Sequence, residues 1–437
     1  MDDTENNKLP NLTISTLGKV EIKSPLTAKQ NFVSDSMRVL LNIRVQEKAN
    51  GLTNDELPFH SFEKAGPRKD IFFSSQNTKA AIITCGGLCP GLNAIIRTIV
   101  RQLWNRYGVK NIVGIRYGYQ GLSNNGETFL PLDPTVVEDI HNLGGTILGS
   151  SRGTPPTDEI VDNLVKNNIN LLFTIGGDGT MKGAQKISEE VKKRNLKISV
   201  IGIPKTIDND IPFVEKSFGY ETAVEMASKA IGAAHEEARG HYNGIGLIKI
   251  MGRNAGFIAA SATLATGVVD ACLVPEIKFK LDGKDGLIDY LKHCFEKKKH
   301  AVVVVAEGAG QELVDKKSQD RDPSGNIIFT DIGVFFKNEI NRLLASQNIR
   351  HSLKYIDPSY TVRSAPPNCF DRVFCSRMAQ NAVHAAMAGK TSMLIGFWHG
   401  EMTHVPFSAL NHRIKKINPN GAFWFTVIES TTQSVGK

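Results

Sequence analysis

Short apolar runs alternate with helix-length amphipathic segments from about residue 78 onward. The runs end in glycine-containing turns, which is typical of strands buried in parallel sheets. They fall at residues 80–84, 171–175, 199–203, 246–251, 301–306 and 393–398, and helical patterns fall at 92–106, 181–195, 221–239, 255–266 and 331–345. The alternation predicts an α/β fold with mainly parallel sheets, whose binding sites lie at the carboxyl ends of the strands.

The first 76 residues differ from the rest in their hydrophobic pattern. They have little periodic apolar pattern and carry Pro10, Pro25, Pro58 and Pro67 among polar residues. Proline and polar clusters interrupt both helices and central strands. An N-terminal extension or arm at 1–76, rather than a core domain, is therefore predicted.

Composition narrows the function classes. The chain has 437 residues, enough for two or three domains, and a net charge of +8. The lysines are dispersed without interleaved aromatics, which favours solvated helix faces over a nucleic-acid surface. No apolar run approaches the ~20 residues that a membrane span requires. We therefore expect neither a nucleic-acid nor a membrane partner.

Cysteine usage and the N-terminal residues bear on location. The six cysteines include no Cys-x-x-Cys pair and have no nearby histidines at zinc spacing, so reduced thiols are expected. The first five residues, Met-Asp-Asp-Thr-Glu, are acidic and lack the basic-then-apolar pattern of a signal peptide. The expectation is a cytoplasmic protein.

The strand at 171–175 leads into the turn Gly176-Gly177-Asp178-Gly179-Thr180. Glycines allow the backbone to approach an anion closely, and N–H groups at a helix start attract negative charge. The single carboxylate, Asp178, can hold a hydrated divalent cation. This turn is predicted to bind a phosphate and its Mg²⁺.

Two further small-residue turns resemble that one. Residues 85–94 contain Gly86 in a strand-to-helix turn, which is weak as an isolated signal because tight turns use the same residues for steric reasons. Residues 144–152 present Arg152 beyond a run of small residues, where it would neutralise a phosphate or pair with a surface acid. Glycine turns at neighbouring strand ends could together flank a polyphosphate.

A second acidic turn spans residues 204–210 and contains Thr206, Asp208 and Asp210. Such turns are often solvated loops or helix caps. Phosphoryl transfer to an alcohol, however, needs a carboxylate near the acceptor hydroxyl and cations near the transferring group. Asp208 is the candidate general base, with Lys205 and Arg253 as nearby cations.

Three stretches further along the chain carry candidate substrate ligands. Met251-Gly252-Arg253 and Glu307-Gly308 each follow an apolar strand, where an arginine can meet a phosphate and a carboxylate can accept from a sugar hydroxyl. Lys354, Tyr360 and Arg363 suit a phosphate monoester, with a cross-strand salt bridge as the alternative.

These motifs resemble those of the 6-phosphofructokinase family, in its order and approximate spacing, over residues 80–398. The resemblance implies transfer from ATP to the 1-hydroxyl of fructose 6-phosphate in glycolysis, with Mg²⁺, in a cytoplasmic, allosteric homotetramer. It also implies two Rossmann-like three-layer domains: a donor domain at 77–213, completed by part of 375–401, and a fructose 6-phosphate domain at 214–374. The segments 1–76 and 402–437 would be an extension and a C-terminal tail.

The resemblance assigns roles by position. It makes Asp208 the base, with Arg253 and Thr206 beside the sugar or the transferring phosphoryl group. The residues that it places at the donor are Gly86, Tyr119, Arg152, Gly177, Asp178, Gly179 and Thr180, with Asp178 at the metal. The residues that it places at the sugar phosphate are Thr206, Asp208, Asp210, Met251, Gly252, Arg253, Glu307, Lys354, Tyr360 and Arg363.

Two positions bear on the donor. Family members that use pyrophosphate tend to carry an acid where Gly179 stands, and glycine leaves open the space that a nucleotide needs. Lys205 occupies a position that is usually glycine in ATP-dependent members and lysine in pyrophosphate-dependent ones. Because a lysine can move aside, the resemblance implies an ATP-using member similar to the pyrophosphate-dependent branch, with pyrophosphate as the alternative donor.

Two other classes remain as alternatives. Lipid and NAD kinases also use Gly-Gly-Asp-Gly-Thr, but the 206–210 loop and Met251-Gly252-Arg253 argue against them. A non-catalytic sugar-phosphate-binding subunit would normally lack the base or the arginine, and both Asp208 and Arg253 are present.

Overall fold

The protein is described here by a computed structural model covering residues 10–27, 31–43, 46–48, 51–53, 60–127, 129–314, 320–321, 327–410 and 414–433. Pro58 and the acidic residues 1–5, on which two of the expectations above depend, lie outside these ranges. Within them, no helix combines the length and the apolar character that crossing a bilayer requires.

The described residues form nineteen strands and ten α-helices. The strands are β1 Ser15–Thr16, β2 Ile22–Lys23, β3 Arg38–Leu40, β4 Gln46–Lys48, β5 Gly51–Thr53, β6 Ser61–Lys64, β7 Asp70–Ile71, β8 Lys79–Thr84, β9 Asn111–Ile115, β10 Leu130–Pro131, β11 Leu171–Gly176, β12 Ser199–Pro204, β13 Gly244–Ile250, β14 Ala271–Leu273, β15 His300–Ala306, β16 Ser352–Ile356, β17 Lys390–Thr391, β18 Met393–Trp398 and β19 Glu401–Pro406. The helices are α1 Leu92–Gln102, α2 Thr157–Lys166, α3 Asp178–Lys193, α4 Tyr220–Arg239, α5 Phe257–Thr266, α6 Leu287–Lys298, α7 Ile332–Ser346, α8 Ser359–Ser364, α9 Cys369–Met387 and α10 Ala422–Thr431.

The chain divides into two compact units. Unit 1 contains the described residues of 1–205, 211–218 and 372–413, and unit 2 contains those of 206–210, 219–371 and 414–437. The acidic turn at 206–210 thus belongs to unit 2, although the sequence places it at the end of the donor domain. The assignment of donor and sugar phosphate to the two domains stays a prediction.

Unit 1 is built on a nine-stranded sheet in the order β10-β9-β8-β11-β12-β18-β19-β6-β3. The five neighbouring strands in its centre, β9, β8, β11, β12 and β18, are parallel. The strands toward both edges, β10 on one side and β19, β6 and β3 on the other, pair antiparallel. The parallel strands are ordered 2-1-3-4-5 by chain position, so the order reverses between β8 and β11. In such sheets ligands bind outside the carboxyl ends of the strands at that reversal.

Unit 2 contains a four-stranded, fully parallel sheet in the order β14-β15-β13-β16. Strands β13 and β15 are almost completely buried, as expected for valine- and isoleucine-rich strands in a parallel sheet. The turns after β13, β15 and β16 therefore lie at one edge of this sheet. The first two carry Met251, Gly252, Arg253 and Glu307, and the third leads into α8, which carries Tyr360 and Arg363.

The predicted α/β class and its main elements are confirmed. The strand at 393–398 has the predicted bounds, and the other predicted strands end within two residues of the observed ones. Helix α3 begins at Asp178 rather than after Thr180, because the turn glycines continue directly into helical backbone. Helix α1 ends at Gln102 and is continued by a π-helical turn at Leu103–Tyr107.

Part of the N-terminal segment belongs to the large sheet of unit 1. Strands β3 and β6 extend the large sheet beyond β19. Phe62 in β6 is fully buried, and the centroid of its ring lies 5.8 Å from that of Phe213 and 5.7 Å from that of Trp398. The C-terminal residues are likewise divided between the two units: β19 pairs in the sheet of unit 1, whereas α10 belongs to unit 2. Short strands paired at a sheet edge carry too little periodicity for the sequence to reveal them.

A buried ionic cluster attaches this N-terminal segment to the sheet of unit 1. Glu63 accepts hydrogen bonds from Arg68 (2.8 Å) and His404 (3.0 Å) and lies 3.0 Å from the ammonium of Lys390. Asp35 pairs with Arg68 and Lys390 at 2.7 and 2.9 Å. Burial alone would raise the pKa of Glu63, but the hydrogen bond and charge of His404 and the charge of Lys390 outweigh it and lower the pKa to about 2.

Replacing Glu63 should therefore destabilise the fold. Glu63→Gln leaves Lys390 and Arg68 with less compensation in a buried site, and we expect a loss of about 3 kcal/mol at pH 7 by chemical denaturation. In the wild type, ionised Glu63 contributes to the free energy of unfolding above about pH 4.5. This contribution disappears as the pH falls toward 2, because the pKa of Glu63 is lower in the folded state than in the unfolded chain. The control Glu401→Gln removes the more exposed partner of Lys64 and should cost about 0–1 kcal/mol. Equal losses in the two variants would contradict the cluster's role.

Candidate active site

Two glycine turns lie side by side in unit 1. Strands β8 and β11 are adjacent and parallel, with Thr84 opposite Ile175, so the turns that follow them emerge at the same edge of the sheet. The Cys85 N–H donates to the Ile175 carbonyl at 2.9 Å and ties the two strand ends together. The predicted pairing of the glycine turns is thus present, at the point where the strand order reverses.

The first turn is supported by the segment that carries Arg152. Gly86 has a φ of 81°, in the left-handed region that glycine adopts without strain. Its N–H donates to the Ser151 carbonyl at 3.0 Å, and its carbonyl accepts from the Ser150 hydroxyl at 2.5 Å. The structure therefore brings Arg152, which is exposed, next to the predicted phosphate-binding turn.

The second turn starts helix α3 directly. A Cβ at Gly176 would collide with the Thr180 side chain, so only glycine permits this tight entry into the helix. Asp178 and Gly179 are the first two helical residues, and their N–H groups precede the first intrahelical hydrogen bonds. A Cβ at Gly179 would meet no atom of the described structure within 4 Å. The helix start is thus both an anion-attracting terminus and a surface with open space before it.

Asp178 is suited to a weakly held, hydrated metal ion. Its carboxylate is about half exposed and lies 2.6 Å from the ammonium of Lys182. Among the described residues, no three histidine, cysteine or acidic side chains cluster as a metal cage would require. Mg²⁺ commonly binds through one or two carboxylates, several waters and substrate phosphates. The donor set therefore fits Mg²⁺ that arrives with a polyphosphate.

Two of the residues predicted at the donor are buried. Tyr119 is only 2% exposed, and its hydroxyl donates to the Thr180 carbonyl at 2.8 Å. Its ring lies where a Cβ at Gly183 would be, so it supports helix α3 from beneath. Thr180 is 6% exposed. Both side chains are thus buried, and their roles at the donor stay predictions.

Lys205 lies beside the first turn. Its ammonium donates to the Gly87 carbonyl at 2.6 Å, and a Cβ at Gly86 would come within 3.3 Å of it. The side chain is buried. In this conformation the lysine fixes the backbone of the turn, and its positive charge stays next to the predicted phosphate position.

The acidic turn at 206–210 begins the site of unit 2. The Thr206 hydroxyl donates to Asp210 at 2.9 Å and accepts from the Asp208 N–H at 3.1 Å. Asn209 has a φ of 54°, a left-handed conformation that asparagine tolerates better than most residues. The turn is therefore held by its own side chains, and Thr206 orders the loop that carries Asp208.

Asp208 is a poorly solvated carboxylate among other charges. Its Oδ1 is buried and has no hydrogen-bond partner among the described residues. Burial, together with the negative charges of Asp210 and Glu307, raises the pKa of Asp208 to about 7, although the charge of Arg363 and a hydrogen bond from the Arg253 backbone oppose that shift. A carboxylate with a pKa near neutrality and an unpaired oxygen has the properties of a general base.

The turns after β13 and β15 are locked together. The Glu307 N–H donates to the Ile250 carbonyl at 2.8 Å, and the Gly308 N–H donates to the Gly252 carbonyl at 3.0 Å. Gly252 has a φ of 135°, and a Cβ at Gly308 would collide with the Arg253 carbonyl. Both glycines are thus required for the close approach that brings Glu307 and Arg253 to Asp208. Met251, also predicted here, is buried.

The Arg253 side chain is held by the segment at 327–329. Its guanidinium donates to the Ile327 carbonyl and lies over the Phe329 ring, 4.4 Å from the ring centroid. The guanidinium is half-buried.

The three residues predicted to bind the phosphate monoester lie on two elements, β16 and α8. Arg363, in α8, is close enough for its charge to lower the pKa of Asp208. Tyr360, also in α8, is 85% exposed. Lys354 is exposed in the middle of β16, opposite Gly246, and not at the carboxyl end of the strand. Arg363 is thus close enough to act on Asp208, whereas the roles of Lys354 and Tyr360 stay predictions.

One buried charged residue of unit 2 was not predicted from the sequence. Lys249 interrupts the apolar run of β13, and its ammonium lies 2.7 Å from Asp357 and 3.1 Å from Asp331. A lysine inside an otherwise apolar strand was the available signal, because burial of an ammonium requires a partner.

Comparison with known proteins places these features in a family. A sequence profile described as Phosphofructokinase matches residues 79–386. The ATP-dependent 6-phosphofructokinase of Borreliella burgdorferi is 48% identical over 97% of this chain and 96% of its own length. The enzyme of the same name from Amycolatopsis methanolica is 44% identical over 97% and 95%. The solved pyrophosphate-dependent phosphofructokinase of Marinobacter aquaeolei aligns with a TM-score of 0.67 at 19% identity, over 82% of this chain and 92% of that chain, and at this identity it shows the fold.

The raised pKa of Asp208 predicts how its replacement affects stability. Between about pH 4 and pH 7 the folded protein keeps a proton on Asp208 that the unfolded chain loses, so this group weakens the fold as the pH rises. Asp208→Asn cannot ionise, so its free energy of unfolding should exceed that of wild type by a larger margin at pH 8 than at pH 5. We expect the margin to grow by about 2 kcal/mol between these pH values, measured by thermal unfolding. The exposed partner of Lys292 offers a control in Asp289→Asn, for which no such difference is expected. The same gain at both pH values would show that Asp208 titrates normally.

Proposed function

The chain belongs to the phosphofructokinase family, and on that premise we propose that it is an ATP-dependent 6-phosphofructokinase. It transfers the γ-phosphoryl group of ATP to the 1-hydroxyl of fructose 6-phosphate and yields fructose 1,6-bisphosphate, a reaction of glycolysis. The near-complete mutual coverage with two enzymes of that name supports the proposal. The observation that carries the chemistry is the buried, unpartnered Oδ1 of Asp208.

Asp208 acts as the general base. A sugar hydroxyl is a weak nucleophile, and a carboxylate within hydrogen-bond reach removes its proton as the bond to phosphorus forms. A pKa of about 7 lets Asp208 both accept that proton and release it at neutral pH. Protonation also removes the repulsion from Asp210 and Glu307, so the proton transfer is favoured by the site itself.

Cationic groups stabilise the phosphoryl group in flight and hold the sugar phosphate. The proposed cations of unit 2 are Arg363, whose charge lowers the pKa of Asp208, and Arg253, whose backbone hydrogen-bonds to Asp208. A guanidinium matches phosphate oxygens with two parallel hydrogen bonds, and its charge offsets the negative charge that develops during transfer. Glu307 accepts from a sugar hydroxyl. Lys354 and Tyr360, which are exposed, contribute to the sugar phosphate through an assembled oligomer.

The glycine turns of unit 1 bind the donor. The Gly86 turn, Gly177 and the N-terminus of α3 present backbone N–H groups and a positive helix end to a polyphosphate, with Arg152 and Lys205 as neighbouring cations. Asp178 would hold the Mg²⁺ that neutralises the phosphates when bound. Chelation should therefore stop transfer, and added Mg²⁺ should restore it; full activity in excess chelator would remove Asp178 from this role.

ATP is the proposed donor and pyrophosphate the alternative. The space before Gly179 is open, which suits a nucleotide, whereas Lys205 beside the first turn is the feature typical of pyrophosphate-dependent members. A coupled assay that offers fructose 6-phosphate with either ATP or pyrophosphate decides between them. Turnover with pyrophosphate alone would reverse the assignment.

We also propose a cytoplasmic homotetramer. The support is the family's use of neighbouring subunits to complete the sugar phosphate pocket, together with the exposed positions of Lys354 and Tyr360. Sedimentation of the purified protein and fractionation of the source cells test these two statements, and a monomer with full activity would contradict the first.

Replacing the base should abolish turnover but not binding. Asp208→Asn keeps the shape of the side chain and removes its basicity, so we expect kcat to fall by about 10² or more while the KM values change little. Asp289→Asn, in the same unit, should retain wild-type turnover. Near-normal kcat in Asp208→Asn would remove Asp208 from the role of base.

Filling the space before α3 should impair the nucleotide donor. Gly179→Asp introduces a carboxylate where the phosphates bind, and repulsion should lower kcat/KM for ATP by about tenfold or more. Loss of folding is not expected, since an acid in the first turn stabilises a helix. The matched control is Gly232→Asp in α4, where a Cβ also meets no described atom within 4 Å. Unchanged use of ATP in Gly179→Asp would refute the assigned donor position.

A further inference from the structure

Lys249 has no part in the mechanism above, yet it lies in the sheet that carries the site. Its side chain is 12% exposed, and its ammonium sits between two carboxylates from different segments, 2.7 Å from Asp357 and 3.1 Å from Asp331. The Tyr355 hydroxyl also faces this group and donates to Asp331 at 3.4 Å. Burial disfavours the charge, but the two carboxylates outweigh it and raise the pKa of Lys249.

The first carboxylate ends a segment that holds Arg253. Asp331 caps helix α7 by accepting from the Gly333 and Val334 N–H groups at 3.0 and 3.2 Å. Directly before it, the Ile327 carbonyl and the Phe329 ring contact the Arg253 guanidinium. Fixing Asp331 therefore fixes one end of the 327–331 segment, against which Arg253 rests.

The same segment also reaches Glu307. The Gln311 amide donates to the Thr330 carbonyl at 3.1 Å and to the Glu307 carbonyl at 2.9 Å. A shift of the 327–331 segment would thus move the surroundings of both Arg253 and Glu307.

The second carboxylate begins the segment that carries Arg363. Asp357 follows β16 and accepts hydrogen bonds from both the N–H and the hydroxyl of Ser359, the first residue of α8. Arg363 lies one turn further along this short helix, and its charge acts on Asp208. The position of the helix start therefore sets the position of Arg363.

We propose that Lys249 is a positioning residue whose ammonium clamps Asp331 and Asp357 together, and thereby fixes the segment against which the Arg253 guanidinium rests and the helix that carries Arg363. The inference rests on the proposed function. The ammonium offsets the mutual repulsion of the two carboxylates, and without it their negative charges face each other with no counter-charge between them. Loss of the ammonium therefore separates the two segments that hold the arginines.

The test is Lys249→Met in the full-length protein, with initial rates measured over a range of pH. We expect the KM for fructose 6-phosphate to rise about tenfold or more and the KM for ATP to stay within about twofold. In the plot of kcat/KM against pH, the acidic limb should move to higher pH. The reason is that Arg363 no longer favours the ionised form of Asp208, whereas Asp210 and Glu307 still oppose it, so the pKa of Asp208 rises. Lys249→Arg, which keeps the charge, should retain most of the wild-type behaviour.

Two further variants separate positioning from stability. Lys298→Met breaks a lysine–aspartate pair of the same length, 2.7 Å to Asp270, in the same unit, and should leave both the KM values and the pH limb unchanged. The double variant Lys249→Met/Asp357→Asn removes one uncompensated carboxylate, so its melting temperature should recover toward wild type. Its KM for fructose 6-phosphate and its pH limb should remain altered, because the clamp is still absent.

The outcomes distinguish this inference from the function on which it rests. If the wild-type protein does not phosphorylate fructose 6-phosphate with ATP, the proposed function fails and the clamp fails with it. If wild type is active and Lys249→Met keeps its KM values and pH limb, only the clamp is refuted. Recovery of the KM, the pH limb and the melting temperature together in the double variant would likewise reduce Lys249 to a structural role.

Discussion

A carboxylate that is kept short of water and of hydrogen-bond donors is the constraint on which the site of unit 2 depends. A solvent-exposed aspartate is ionised at neutral pH at little cost in free energy. The Oδ1 of Asp208, however, is buried without a partner among the described residues, and two other carboxylates lie close by. Such a group stores unfavourable free energy that binding of a proton releases. The rest of the fold has to hold it in place: Thr206 orders its loop, and the interlocked turns after β13 and β15 supply its neighbours.

The glycine turns of unit 1 depend on a different kind of interaction. They depend on backbone rather than on titratable side chains: a left-handed glycine at 86, a glycine at 176 that permits tight entry into α3, and an open helix start at Asp178 and Gly179. Backbone dipoles do not change with pH. If the proposed function is correct, the pH dependence of the reaction should therefore originate in unit 2, whereas the choice of donor depends on the space before α3 and on the charges next to the turns of unit 1.

The sequence reveals those parts of the molecule that have a local signature. Buried parallel strands such as β18 are continuous apolar runs, and turns such as 176–180 need glycine for steric reasons, so both could be predicted. Burial of Tyr119 beneath α3 could not, because a tyrosine two residues from an exposed one has no pattern that tells which faces inward. Strands β3 and β6 and the contacts of Lys249 depend on residues far away in the chain, and no window of sequence contains them.

The buried cluster around Glu63 has a consequence for where this protein can be cut. The family profile begins at residue 79, yet Lys390 and His404, which lie beyond its end, face the carboxylate of Glu63, which lies before its start. A fragment trimmed to the matched residues would lose these groups and the edge of the large sheet together. The residues that define the family are therefore fewer than those that complete the large sheet and balance the charge of Glu63.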